Sequence, residues 1–553
     1  MAHPEKRKIA LLSNVTADLI AAKLRRDYEI YLPEGFDTWV QESIAPGSGL
    51  YAFGAEAVVV LLDGTECRSW QNREMAEERI NLWKQAVRAL CRTIGDRPVF
   101  VSTLDIRENR IRAFSEPGFG PELEADWLRF LQSLMEEHAN LCLLELADLI
   151  AEYGRKTVYS DKMWYLSSMP YSRDGLNLVS QEIERVLRAA FSSRKKLIVL
   201  DLDNTLWGGV IGEDGLEGIE LSDHKEGQRY YDFQRQLLEM KRRGVVLAID
   251  SKNNEEDADS AIQKHPAMLL REEDFVARRI NWENKAANLK SIARELNLTP
   301  GGILFVDDNP VERAVVAGEC PEVTVPEFPE DSSLLLNFAE GLWREYFQPL
   351  RVLDEDRKKT QMYRSEAMRR QEESESLNLE DYIAKLHMRA DIHRMRPEEL
   401  ERTAQLCGKT NQFNLTTKRY TQAEIAEMAA SEDHRVYVVH AGDKYGDSGL
   451  ISVVILAREN RNVRIDSFLM SCRVMGRNLE NIIVGELAAS LPGADKLIGE
   501  FRPTAKNAPV RELYDRLGFT LTEESEQGKR YELDLSGFEK PDTSLYENVQ
   551  FEA

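Results

Sequence analysis

The chain has 553 residues, is 42% apolar and 30% charged, and carries a formal net charge of −23. That length implies about three or four domains with cores of their own, and the acidic balance argues against general nucleic-acid binding, which rests on neutralising phosphates. The six cysteines (67, 91, 142, 320, 407, 472) form no CxxC pair, the start MAHPEKRKIALLS lacks a leader-like apolar core, and no apolar run reaches the roughly 18 residues of a membrane span, so a cytoplasmic protein without disulfides, metal ribbon or membrane anchor is expected. In chain order, KIALLS (8–13), AVVVLLD (57–63) and RPVFVST (97–103) are short apolar runs separated by helical stretches such as Arg73 to Arg92. That alternation is the pattern of a parallel sheet with crossovers.

The order of these elements resembles the SGNH, or GDSL, hydrolase domain. Two departures remove its chemistry. Ser13 follows the first strand, where the nucleophile would stand, but LSNVT is not the GDS motif, and PYSRDGLNL (170–178) takes the place of the closing DxxH with no histidine in it. A serine without a base is a weak nucleophile. Ser13 is therefore expected to be a cap or turn serine, and residues 1–190 to be a degenerate SGNH-like, flavodoxin-like scaffold or docking domain.

Residues 191–346 carry the chemistry. KLIVLDLDNTLWGG (196–209) is an apolar run that stops at two carboxylates, Asp201 and Asp203, and in a parallel sheet both would project from the carboxyl edge, where ligands bind. VVLAIDSK (245–252) and ILFVDDN (303–309) repeat that pattern, and Lys285 heads a helix between them. Together they match, in order, the four motifs of the haloacid dehalogenase-like (HAD) superfamily. The resemblance implies that Asp201, the Asp203 carbonyl and Asp307 or Asp308 hold Mg²⁺, whose hard-oxygen preference they suit. It further implies that Asp201 is the nucleophile for a phosphoryl group, that Ser251 and Lys285 steady the transferring oxygens, and that Asp203 shuttles the proton. The segment between the first two motifs is too short for a large cap domain. WGGVIGEDGLEGIEL is expected to form a glycine-punctuated β-hairpin, and so open a site suggests a substrate presented by something bulky.

DLDNTLWGGVIGEDG, SKNN, NWENKAANL, DDNPVER, TNQFNLTT and PTAKNA narrow the likeness, which spans essentially the whole chain, to the FkbH-like branch of that superfamily. The resemblance implies an enzyme of polyketide-type assembly lines that dephosphorylates 1,3-bisphosphoglycerate or a related acyl phosphate. It would load the glyceryl unit onto the phosphopantetheine thiol of an acyl carrier protein. Thr205, Trp207, Lys252 and Asn253 would contact the substrate. One departure bears on the mechanism. In glyceryl-transferring members the residue before the motif-two serine is a cysteine that carries the glyceryl thioester, and here that position is Asp250. A carboxylate is a weaker acyl nucleophile and would form a labile anhydride, while one more acid beside Asp201, Asp307 and Asp308 raises carboxyl pKa values. Three readings stay open: direct attack by the carrier thiol, a phosphatase that transfers no acyl group, or an engineered residue at this position.

Residues 347–378 are centred on LDEDRKKTQMYRSEAMRRQEESES, a charged stretch free of glycine and proline, and read as a solvated linker helix that includes Arg369 and Arg370. From 379 to 538 the strands RVYVVHA, GLISVVILA and VRIDSFLMSC precede the helix Gly476 to Ser490, and KLIGEF precedes the helix Pro509 to Leu517, a succession that resembles the GNAT acetyltransferase fold, with a tail at 539–553. The turn CRVMGRN partly matches the GNAT pyrophosphate loop at Arg473 and Gly476, with Asn478 at the second small position. Asn507 and Tyr514 have the GNAT spacing. Because phosphopantetheine is half of coenzyme A, the resemblance implies a groove reused for a carrier protein, with Asn411, Arg473, Gly476, Arg477, Lys506, Asn507 and Tyr514 as contacts. Lys409, Lys418, Arg419 and Arg502 add positive charge that would steer an acidic partner. A packed TNQFNLTTKRY loop and an independent acetyltransferase are the alternatives. The whole is α/β: SGNH-like, HAD-like with a minimal cap, and GNAT-like.

Overall fold

A computed structural model describes residues 6–69, 73–352, 354–471, 474–504, 506–525 and 527–552. The chain forms two compact units, residues 1–195 with 337–352, and residues 196–336 with 353–553. In the first, β1 (Lys8–Ser13), β2 (Glu29–Tyr31), β3 (Ala57–Leu61), β4 (Val99–Ser102) and β5 (Leu141–Leu144) make one parallel sheet in the order β2-β1-β3-β4-β5. That is a doubly wound order. All five residues of β3 are buried, and Trp39, Trp83 and Trp127 fill one of its two faces. Strands β2 and β5 add to the three runs legible in the sequence. The Ser13 hydroxyl donates to the Leu61 carbonyl (2.8 Å) and accepts from the Val15 amide (3.2 Å), which makes it a turn serine. Ser172 caps the helix Arg173–Phe191 through the Gly175 amide, so residues 170–178 open a helix.

The second unit begins with four parallel strands, β6 (Leu197–Leu200), β7 (Val246–Ser251), β8 (Phe275–Ile280) and β9 (Ile303–Val306), ordered β8-β7-β6-β9. β6 is fully buried between two neighbours, as its unbroken apolar run requires. Leu200 pairs with Ile249 on one side and Val306 on the other. The next residue along each strand is an aspartate, so register alone places Asp201, Asp250 and Asp307 level at the carboxyl edge. Only helices lie between β6 and β7. The expected hairpin is reduced to a bridge between Gly208 and Glu220 that encloses a helix, Ile211–Gly218. Its acidic first turn (Glu213, Asp214) suits a helix N-terminus, and the Asp214 carboxylate accepts from the Val210 amide (2.8 Å).

The remaining strands are β10 (Arg389–Arg394), β11 (His434–Asp443), β12 (Gly446–Glu459), β13 (Asn462–Met470), β14 (Lys496–Phe501), β15 (Thr520–Ser525), β16 (Gly528–Asp534) and β17 (Asn548–Glu552). They form a mixed sheet ordered β15-β16-β14-β13-β12-β11-β10-β17. β13 and β14 run parallel but pair only at Val463 with Leu497 and Arg464 with Ile498, then diverge. The wedge between them is filled by Phe413–Leu415. The Leu415 amide donates to the Phe468 carbonyl (3.1 Å), the Met470 amide to the Phe413 carbonyl (3.0 Å), and the Arg502 amide to the Leu415 carbonyl (2.8 Å).

The charged stretch is indeed a helix, Lys359–Glu375, but it is not solvated along its length. Arg369 is buried and makes a two-pronged ion pair with Asp443 (2.5 and 2.9 Å), while Arg370 donates to the Arg294 and Glu295 carbonyls. Arginine hides its stem readily and pairs in a fixed fork, so a sequence that looks wholly polar can still pack. Among the described residues, no helix is long and apolar enough to cross a membrane.

Candidate active site

The site lies where β6, β7 and β9 end and the helix Lys285–Glu295 begins. Asn284 caps that helix by accepting from the Ala286 (2.7 Å) and Ala287 (3.3 Å) amides, which makes Lys285 its first residue. The buried Lys285 ammonium then stands 3.0 Å from Asp201 and 2.5 Å from Asp307. Asn309 caps Pro310–Glu319 in the same manner, and its amide donates to Asp307 (2.9 Å). Asp201, Asp307 and Asp308 each bring a carboxylate oxygen within 4.8 Å of the other two.

The electrostatics follow from one ammonium among several acids. Burial, then the charges of Asp201 and Asp307, push Asp308 up to about 6. Burial and the Asp201 charge also raise Asp307, against the pull of Lys285. Burial alone would depress the Lys285 ammonium, but Asp201 and Asp307 outweigh it and hold it above the usual lysine range. The cluster is short of positive charge, and its donors are all hard oxygens. That is the donor set and the charge deficit that fit a divalent cation of the magnesium type.

Around this centre the other site residues take up distinct places. The Asp203 carboxylate is held by three donors: the Trp207 indole (2.9 Å), the Ile211 amide (3.0 Å) and the Asn253 side chain (2.8 Å). Its side chain is not one of the three carboxylates gathered within 4.8 Å. Trp207 and Asn253 position Asp203, and Asn253 also reaches the Ser251 hydroxyl (3.3 Å). The Thr205 hydroxyl is buried with no hydrogen-bond partner. Lys252 turns to Glu312 (2.6 Å). Asp250 is fully buried; one oxygen accepts from Asn288 (2.9 Å) and the other has no partner. Burial first, then the charges of Asp201 and Asp307, push it up to about 7, with Asn288 and Lys285 opposing.

Two residues with structural parts here were quoted in motifs but given no role. Asn288 bridges Asp250 and Asn281 (2.9 Å each), and Arg313 donates to the Asp307 (2.9 Å) and Asp308 (2.7 Å) carbonyls. Trp282 is 70% exposed, with its indole donating to Asn254 (3.2 Å).

Of the described residues assigned to carrier binding, Arg477, Asn507 and Tyr514 are buried. Arg473 lies outside the described residues. Arg477 is buried beside Glu366 (3.5 Å) and Asp443 (3.6 Å). Asn507 is buried and pins the wedge, donating to the Asn414 (3.0 Å) and Arg502 (2.8 Å) carbonyls. Tyr514 is a core residue against Phe519 and Tyr531, its hydroxyl unpartnered. Asn411 is half-buried and accepts from Arg419 (2.7 Å). Gly476, at φ +79°, and Lys506 are exposed. Asn, Arg and Tyr at such spacings serve packing as readily as recognition, and the sequence does not distinguish the two.

Comparison with family models and with curated protein sequences finds no match. Among solved structures, the chain is similar to the N-terminal part of the protein BF1531 from Bacteroides fragilis, which contains a phosphatase domain and was crystallised with Mg. The identity is 29%, the TM-score is 0.57, and the alignment covers 63% of this chain and 95% of that one. The ribosomal-protein-S18-alanine N-acetyltransferase from Escherichia coli aligns at 15% identity and TM-score 0.22 over 28% of this chain and 99% of its own. The GNAT domain of S. lividans PAT aligns at 14% identity and TM-score 0.22 over 26% and 89%. The chain is thus a mixed α/β protein with parallel sheets and a structural neighbour of a HAD-type phosphatase domain.

Proposed function

We propose that this protein is a Mg²⁺-dependent phosphatase of the HAD type whose nucleophile is Asp201. The observation that carries the reading is the convergence of Asp201, Asp307 and Asp308 with the Lys285 ammonium at the carboxyl edge of β6 and β9. The Mg²⁺ found in the Bacteroides neighbour supports the cofactor. Bound at these three carboxylates, the ion would mask charge between an anionic phosphoryl group and Asp201. An Asp201 oxygen attacks phosphorus in line, the bond to the leaving oxygen breaks, and an aspartyl-phosphate forms. Asp203, oriented by its three donors, gives a proton to an alkoxide leaving group and later takes one from the attacking water. A carboxylate leaving from an acyl phosphate needs no proton. Lys285 fixes Asp201 against Asp307.

The finer reading is transfer of a three-carbon acid unit to an acyl carrier protein. It is favoured by the lack of an inserted domain between β6 and β7, which leaves room for a bulky substrate carrier. With Asp250 in the relay position, the carrier thiolate would attack the acyl carbonyl itself and displace phosphate. The wedge of the C-terminal sheet is filled by Phe413–Leu415, so the carrier would dock elsewhere.

Both readings meet one experiment: the full chain, Mg²⁺, a system generating 1,3-bisphosphoglycerate and a phosphopantetheinylated carrier, followed by phosphate assay and intact-protein mass spectrometry. Mg²⁺-dependent phosphate release that Asp201→Asn abolishes is the expected result. A glyceryl mass on the carrier adds the transfer, phosphate without it leaves a phosphatase, and release unchanged in Asp201→Asn overturns the site.

A further inference from the structure

We propose that His393, Glu399 and His440 form a second cation site, for a divalent transition metal of the zinc type. The antiparallel register pairs Asp391 of β10 with His440 of β11 and His393 with Val438, so Asp391, His393 and His440 share one face of the sheet. The turn Pro397–Glu399 then brings Glu399 back over that face, and the Arg396 amide fixes its carboxylate (2.8 Å).

Both imidazoles aim the same nitrogen at the same group. His393 Nε2 stands 3.0 and 3.2 Å from the two Glu399 oxygens, and His440 Nε2 stands 2.8 Å from Oε1. The rings are parallel within 13° at 5.5 Å. His393 is 2% exposed, whereas His440 is 35% exposed as a side chain, which leaves the cluster a route to solvent.

One ligand atom from each of His393, Glu399 and His440 lies within 4.8 Å of the other two, close enough for one ion to meet all three. His393 has a carboxylate at each end: Glu399 at Nε2, and Asp391 3.4 Å from Nδ1, which makes no hydrogen bond. With a metal on Nε2, the ring proton would sit on Nδ1 and point at Asp391. That is the carboxylate–histidine–metal arrangement by which metal-binding histidines are oriented. Two imidazoles and a carboxylate suit zinc, and three protein ligands leave a fourth position for solvent; the aspartate cluster, all oxygen, suits magnesium.

The test uses the full chain stripped with a chelator, loaded with Zn²⁺ under a large excess of Mg²⁺ and gel-filtered, with metal content read by mass spectrometry. Co²⁺ in place of Zn²⁺ gives a visible spectrum that reports nitrogen ligation. One retained equivalent of zinc is expected, lost in Glu399→Gln and in the half-exposed His440→Gln, with affinity about 10–100-fold lower in Asp391→Asn. No retained zinc, or retention unchanged in Glu399→Gln and His440→Gln, overturns the site.

Discussion

Asp250 is an acid where burial and neighbouring charge both oppose ionisation. An aspartate in the unfolded chain titrates near 3.9, and in the folded chain this one is pushed up to about 7. Between those values the folded state holds a proton that the unfolded state has lost. The stability tied to that proton is complete below the unfolded pKa and disappears as pH rises through 7. Asparagine at 250 keeps an oxygen for the Asn288 amide and carries no charge. Asp250→Asn should therefore be more stable than the parent at pH 8, by roughly 2–4 kcal/mol in metal-free buffer, and the gain should vanish toward pH 4. Urea titrations at both pH values measure this, and a gain of equal size at both would show that it does not come from the titration of Asp250.

The helix Lys359–Glu375 raises the same question for a whole element, because its two adjacent arginines sit in opposite environments. Arg369 is buried against Asp443, so Arg369→Ala leaves a buried carboxylate with the Tyr445 amide and the more distant Arg477 and should cost about 3 kcal/mol. Arg370 is partly exposed and donates to carbonyls, and Arg370→Ala should cost about 1 kcal/mol or less. Equal losses by urea denaturation would return the helix to the solvated linker that its composition suggests. That contrast marks where the sequence was legible. β6, β7 and β9 were readable because each is an apolar run ending in acids, and the Lys285 helix because it falls in order between two of those runs. β8 was not, since FVARRI puts two arginines on an edge strand. The part played by Asn288, the filling of the wedge by Phe413–Leu415 and the level row of aspartates depend on register and on contacts distant in sequence, which no local pattern carries.

At the scale of the molecule, the acids of the second unit should make its stability respond to magnesium while the first unit stays indifferent. A ligand that binds only the folded state stabilises what must be folded to bind it. The ligating carboxylates hang on β6 and β9, so added Mg²⁺ should slow hydrogen exchange in residues 197–203, 246–253 and 303–309. Residues 8–13 and 57–61, in the sheet of the first unit, hold no such cluster among the described residues and should exchange at the same rate with and without the ion. Protons compete for the same oxygens. With Asp308 pushed up to about 6 and Asp307 raised as well, the ion must displace protons below that pH, so the protection should be strong at pH 8 and fade toward pH 5. Asp308→Asn should weaken the protection at pH 8. Exchange mass spectrometry follows every segment in one sample; protection spread equally over both sheets, or independent of pH, would mean that the ion sits somewhere other than Asp201, Asp307 and Asp308.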